Sequence, residues 1–230
     1  MKSLLAIIIV LVVAASVVGA YYFGVRHALA PTTGSSTPAV VTGTSTAASQ
    51  SSTYYTDISS WQTSTESQAG FSIAYPIDFA IDENMTLAPS TDWRVGANGD
   101  TGVKVFALTV PRSFEPQTNF VDATLTVGYS KNATSVAHCM TNDASSVTAT
   151  SSAILDGQTF TVFNSGDAGA GNLYKTTSYR TLHGGTCYAV EYTVHSAQLG
   201  NYPASYNLKQ YSDQTIDQLL DRIVGTFKFL

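Results

Sequence analysis

Residues 173–195 read LYKTTSYRTLHGGTCYAVEYTVH, two apolar-polar runs joined by His183-Gly184-Gly185. Two such runs flanking a glycine pair predict a β-hairpin. In the second run Tyr188, Val190, Tyr192 and Val194 fall on one face. Cys187, Ala189, Glu191, Thr193 and His195 fall on the other. The first face is bulky and apolar, so it belongs to a core. The second has small residues at Cys187 and Ala189, which leave room for a helix to approach.

Working outward from this hairpin, Asp156-Gly157 separates residues 153–155 from QTFTVF at 158–163, a second hairpin. Earlier runs at 71–75 (FSIAY), 103–110 (VKVFALTV) and 123–129 (ATLTVGY) alternate in the same way, and prolines stop the first two. Between them, 92–102 (DWRVGANGDTG) reads as a turn. Asn132 can cap a short helix carrying Val136, Cys139 and Met140 at i, i+3 and i+4. Toward the end, Ile216, Leu219, Leu220, Ile223 and Val224 make an amphipathic stripe, capped by Ser212 or Asp213 and stopped by Gly225. Phe227 and Phe229 then alternate as a terminal strand. The pattern predicts an α+β domain: an antiparallel sheet flanked by helices, with the last helix covering one face.

The chain opens differently. Residues 4–23, LLAIIIVLVVAASVVGAYYF, hold no charge, and about 20 helical residues span roughly 30 Å, the thickness of a bilayer core. The reading is a single-pass membrane helix in residues 1–26, with the lipid bilayer as partner. Val18-Gly19-Ala20 offers small residues for signal peptidase, so a cleaved signal is the competing reading. Residues 27–53 follow as a Ser/Thr-rich stalk whose composition cannot offset its ordering entropy. It reaches roughly 25 Å as a coil and about 75 Å extended. Residues 54–230 are then an extracytoplasmic domain at the cell membrane.

All 16 acidic and 9 of the 11 basic residues lie in that domain, giving it a formal charge of −7. Such a domain repels nucleic acid, and no basic patch interrupts it. The two cysteines, Cys139 and Cys187, are expected to form a disulfide in an oxidising compartment, stitching the short helix to the sheet. A loop of about 48 residues would contribute roughly 4 kcal/mol in the chain-entropy model. Free buried thiols, or a metal site with His138 and His195, are the alternatives left open.

Three features resemble exported domains of the PsbP-like class, related in fold to the Mog1 and DcrB proteins. FSIAYP after Gly70 looks like their Gly-Phe-x-x-x-Tyr-Pro entry strand, antiparallel strands follow, and an amphipathic helix closes the chain before TFKFL at 226–230. Residues 169–203 also resemble a segment of small membrane-anchored bacterial proteins. The resemblance implies an α/β/α sandwich used as a binding or assembly module. It carries no catalytic residues and no cofactor.

The candidate chemistry is sparse. NSGDAGAGN at 164–172 lacks the Gly-Lys-Ser/Thr of a phosphate loop and reads as a solvated loop. Asn164, Asp167 and Asn172, or Asp92, Asn98 and Asp100, could offer oxygens to calcium, but without the spacing of a calcium loop. No Gly-x-Ser-x-Gly elbow accompanies His138, His183 or His195, and no paired carboxylates suggest glycoside hydrolysis. Asn84 and Asn132 head Asn-x-Thr sequons. Of 13 tyrosines, Tyr174, Tyr179, Tyr188, Tyr192, Tyr202, Tyr206 and Tyr211 crowd the second half. Tyr202, Tyr206 and Tyr211 are the candidate binding surface, since tyrosine supplies amphipathic contact area. The reading is a tethered, non-enzymatic module for a protein or small ligand. The alternative is an extracytoplasmic hydrolase whose site assembles from distant residues.

Overall fold

Ten strands are described in the computed structural model, over residues 57–97, 99–141 and 147–230. In chain order they are β1 (Gln62–Glu66), β2 (Phe71–Tyr75), β3 (Ala80–Ile81), β4 (Val103–Val110), β5 (Phe120–Ser130), β6 (Val147–Leu155), β7 (Gln158–Gly169), β8 (Asn172–His183), β9 (Thr186–Ala197) and β10 (Lys228–Phe229). Two α-helices join them, α1 (Ala133–Ala137) and α2 (Asp213–Val224). The membrane-segment and stalk expectations, residues 1–26 and 27–53, fall outside the described residues. Among the described residues no helix is long and apolar enough to cross a membrane.

Seven strands pair antiparallel in the order β3-β4-β5-β9-β8-β7-β6. The hairpin β8–β9 lies in its middle. Gly184 and Gly185 turn it with φ of 55° and 76°, values that cost an L residue but not glycine. A smaller sheet, β1-β2-β10, and helix α2 cover one face. All five residues of the α2 stripe are buried there, in the same core as Tyr192, Val194 and Phe120. Each buried aliphatic side chain stabilises by roughly 1.5–3 kcal/mol. Ser212 caps α2 by accepting from the Thr215 amide, and the chain leaves the helix at Gly225.

Three expectations change. Residues 164–172 are not a solvated loop. The strands β7 and β8 run through them and turn at Ala170-Gly171, because ladder pairing such as Asp167 with Tyr174 satisfies a backbone that side-chain propensity leaves undecided. The short helix α1 ends at Ala137, so Cys139 lies just beyond it and Met140 is exposed. The second face of the sheet carries little helix. Its cover is α1 and the irregular segment around residues 91–102, so the α+β assignment stands and a helix layer on both faces does not.

Candidate functional site

The second face is built from hydroxyls and charges. Thr193 of β9 lies between Thr124 of β5 and Thr176 of β8. The Thr176 and Thr193 hydroxyls are 2.8 Å apart and hydrogen-bonded. One rung along, Glu191 lies between Thr126 and Ser178. Next comes Ala189, opposite Arg180.

Glu191 is 7% exposed and Arg180 1%. Both grip the backbone of one residue, Val95, in the loop above. The Val95 amide donates to both Glu191 oxygens at 3.0 and 2.9 Å. The Val95 carbonyl accepts from Arg180 Nη2 at 2.6 Å. Arg180 also donates to the Thr141 carbonyl and to Ser178 Oγ, and its guanidinium lies 4.3 Å over the Phe163 ring. Burial pushes the Glu191 carboxyl above its usual range, an effect opposed by Ser178, Arg180, the Val95 amide and Arg94.

Arg94 fastens the same loop from within, donating to the Gly96 and His138 carbonyls and pairing with Asp100 at 3.4 Å. Asp100 also meets His138 Nδ1 at 3.0 Å. Beside them Trp93 is wholly buried with Ala97, Ala189 and the Cys139–Cys187 disulfide, as the cysteine pair predicts. Glycine is required under the indole. A Cβ at Gly102 would lie 2.3 Å from Trp93 Cδ2. The loop is therefore a strap, held by buried charges, a stacked indole and a covalent link nearby.

Between strap and sheet lies an open cleft of about 500 Å³. Thr124, Thr126 and Thr193 form its floor, Thr91 and Asp92 belong to the strap, and Lys104 stands at one side. Glu191 and Arg94 also line it, but their polar atoms bind the strap itself. Besides Asp92, which is exposed and accepts from Ser90, the groups left facing the cleft are threonine hydroxyls and Lys104. Hydroxyls and an ammonium donate hydrogen bonds and suit a ligand that carries acceptors.

The histidines are placed elsewhere. His195 Nε2 meets Asn172 Oδ1 at 2.9 Å, its Nδ1 lies 3.6 Å from Asp122, and its ring stacks on Tyr174. These partners are an amide, a carboxylate and a phenol, not a serine. His138 is bound to Asp100, and His183 stacks on Phe229. Of the calcium candidates, Asp100 is taken by Arg94 and His138, Asp92 bonds Ser90, and Asn98 lies outside the described residues. Asn164 accepts from Thr177, Asn172 faces His195, and Asp167 accepts from the Ala168 amide. Among the described residues no three His, Cys, Asp or Glu side chains could hold a metal together. Asn132 caps α1.

The tyrosine surface is smaller than the sequence predicts. Tyr202 and Tyr206 pair at 6.2 Å between ring centres, and Tyr206 is 59% exposed. Tyr211 is not part of it. Its ring packs on Phe120 in the core and its hydroxyl donates to Asp213. Tyr179 and Tyr192 are core residues too, both donating to Asp221 of α2, and burial raises the pKa of each. Sequence reasoning missed Arg94, Arg180 and Glu191. The available signal was Glu191 itself, a lone carboxylate between two small residues on one strand face.

No family model matches the chain, and no curated protein matches it. Among solved structures it is similar to a Bacteroides thetaiotaomicron protein, with 13% identity and a TM-score of 0.43, over 74% of this chain. The match spans about half of that longer chain, 49%. It is also similar to the Saccharomyces cerevisiae Ran-binding protein Mog1p, with 11% identity and a TM-score of 0.40, over 74% of this chain and 95% of that one. Neither similarity bears on what the protein does.

Proposed function

We propose that the chain is a membrane-tethered, extracytoplasmic binding module, and that the cleft beside Lys104 takes a small, polar, acceptor-rich ligand. One observation carries the reading. Every buried charge at the cleft is committed to holding the strap and Asp92 accepts from Ser90, while hydroxyls and Lys104 remain for a ligand. A hydrolase needs the reverse, a nucleophile and base free to move protons. The disulfide supports export, because such bonds persist in oxidising compartments. The charge-free stretch at 4–23 supports the tether.

The test uses the full-length chain in detergent micelles. Thermal shift against a panel of small carboxylates and sugar phosphates is expected to give a stabilising hit. Lys104→Ala should weaken that hit by about tenfold, the worth of one charge-assisted hydrogen bond. Covalent labelling of the chain by a fluorophosphonate probe would instead establish a hydrolase.

A further inference from the structure

We infer that the ligand of this cleft is an uncharged oligosaccharide, which runs from the strap along a row of hydroxyls and stacks an outer ring on Tyr174. The inference rests on the binding reading above and names its ligand class.

The sheet register lines up the row. Thr109 of β4 opposes Thr124 of β5, and Thr124 opposes Thr193 of β9. Thr193 opposes Thr176 of β8, and Thr176 opposes Ser165 of β7. Directly opposed residues share a face, so five hydroxyls cross five strands on the side that carries the strap. Neighbouring strands lie about 4.8 Å apart, which makes the row roughly 19 Å long. Thr124, Thr176 and Thr193, its centre, line the cleft, and all five residues are exposed or half-buried. Each hydroxyl donates once and accepts twice, and the Thr176–Thr193 bond uses only one donor of that pair.

The next rung outward is Asp122, His195, Tyr174 and Asp167. Strand propensity accounts for threonine on such a face. It does not account for a tyrosine that is held in place and still 37% exposed. His195 is bound at Nε2 by Asn172 and flanked at Nδ1 by Asp122, and its ring stacks on Tyr174 at 4.5 Å with 17° between the planes. The stack fixes one face of the phenol ring and leaves its exposed side as a platform for the apolar face of a sugar.

Chemistry selects the ligand class. Asp92 in the cleft and Asp122 and Asp167 on the outer rung only accept hydrogen bonds when ionised, so they disfavour a ligand made of acceptors alone. The domain's formal charge of −7 turns away polyanions. A saccharide carries donors and acceptors on every ring, bears no charge and presents C–H faces to aromatic rings. Its hydroxyls meet the threonines and aspartates, and Lys104 donates to one of its oxygens. A pyranose ring spans about one strand spacing, so the row holds about four rings.

Isothermal titration of the full-length chain tests this in a polyoxyethylene detergent, which brings no sugar of its own. The probes are cello-, xylo- and chito-oligosaccharides of one to six rings, with glucose 6-phosphate and citrate beside them. In at least one series the affinity is expected to rise with length up to about four rings and then level. Tyr174→Ala should weaken the tetramer about tenfold and leave glucose 6-phosphate unchanged, while Tyr174→Phe keeps the stack and the affinity. Thr193→Val keeps the branched shape, removes the central hydroxyl and should weaken both. Binding of glucose 6-phosphate or citrate with no length dependence in any series overturns the oligosaccharide and leaves the cleft reading standing. Full affinity for the tetramer in Tyr174→Ala does the same. No binding by any of these compounds overturns both.

Discussion

On one face of the large sheet, Tyr188, Val190, Tyr192 and Val194 disappear beneath α2 and the small sheet, and apolar area does the holding. On the other face the same strand presents Ala189, Glu191 and Thr193, and the cover is a strap held by Arg94, Arg180, Glu191 and a disulfide. Apolar contact tolerates small displacements because it has no direction. Buried charges do not, since each must meet its partner or be left uncompensated. The second face therefore fixes the position of one loop and leaves a cleft beside it. The protein carries one tryptophan on each side, Trp61 in the apolar core and Trp93 under the strap, so the two faces can be read separately in Trp61→Phe and Trp93→Phe backgrounds.

Arg180→Ala is the strongest way to break the contrast. It strips the Val95 and Thr141 carbonyls of the Arg180 donor and removes a cation that favours the charged form of Glu191. Removing one partner of a buried charged network costs about 4 kcal/mol. Urea unfolding followed by Trp93 fluorescence is expected to shift by that amount. Adding Glu191→Gln to Arg180→Ala should restore part of the loss, because the uncompensated carboxylate is then gone. Full additivity of the two changes would show that the residues are not coupled.

Leu220→Ala attacks the other face. Leu220 is fully buried in the α2 stripe, and the truncation leaves a cavity costing about 3 kcal/mol. The loss should appear in Trp61 fluorescence and lower the stability without changing the pH dependence. A pH-dependent loss would mean that the two faces share their energetics.

The same contrast explains what the sequence discloses. The apolar face is written in periods: alternation at 188–194, a 3-4 stripe at 216–224, prolines and glycines at the stops. Two cysteines announce their own pairing. The strap has no period. Arg180 and Glu191 sit on the two strands of one hairpin, and they meet the strap that carries Arg94, some ninety residues earlier, only when the sheet is paired. The edge strand β1, QTSTE, has polar side chains and no apolar period, and its ladder with β2 supplies the reason it is extended. Tyr211 misleads for a related reason. A tyrosine in a loop looks like a contact residue until Phe120 and Asp213 are seen to enclose it.

The smallest effect expected, and the one specific to the strap, is a dependence on pH. Burial raises the Glu191 pKa above the ordinary glutamate value of 4.5. Between that value and the folded one, the native state binds more protons than the unfolded chain. Stability then falls as pH rises, and the contribution is fully present only below 4.5. The slope cannot exceed one proton, about 1.4 kcal/mol per pH unit. Glu191→Gln keeps the shape and still offers an oxygen to the Val95 amide, and it does not titrate. Wild type and variant should therefore have similar stability near pH 4, and the variant should gain on wild type as pH rises. Urea midpoints measured from pH 4 to 8 check this. Parallel curves would place the carboxylate in contact with water or fully neutralised by Arg180, and the strap would then owe its hold to the disulfide and Trp93 rather than to the Val95 clamp.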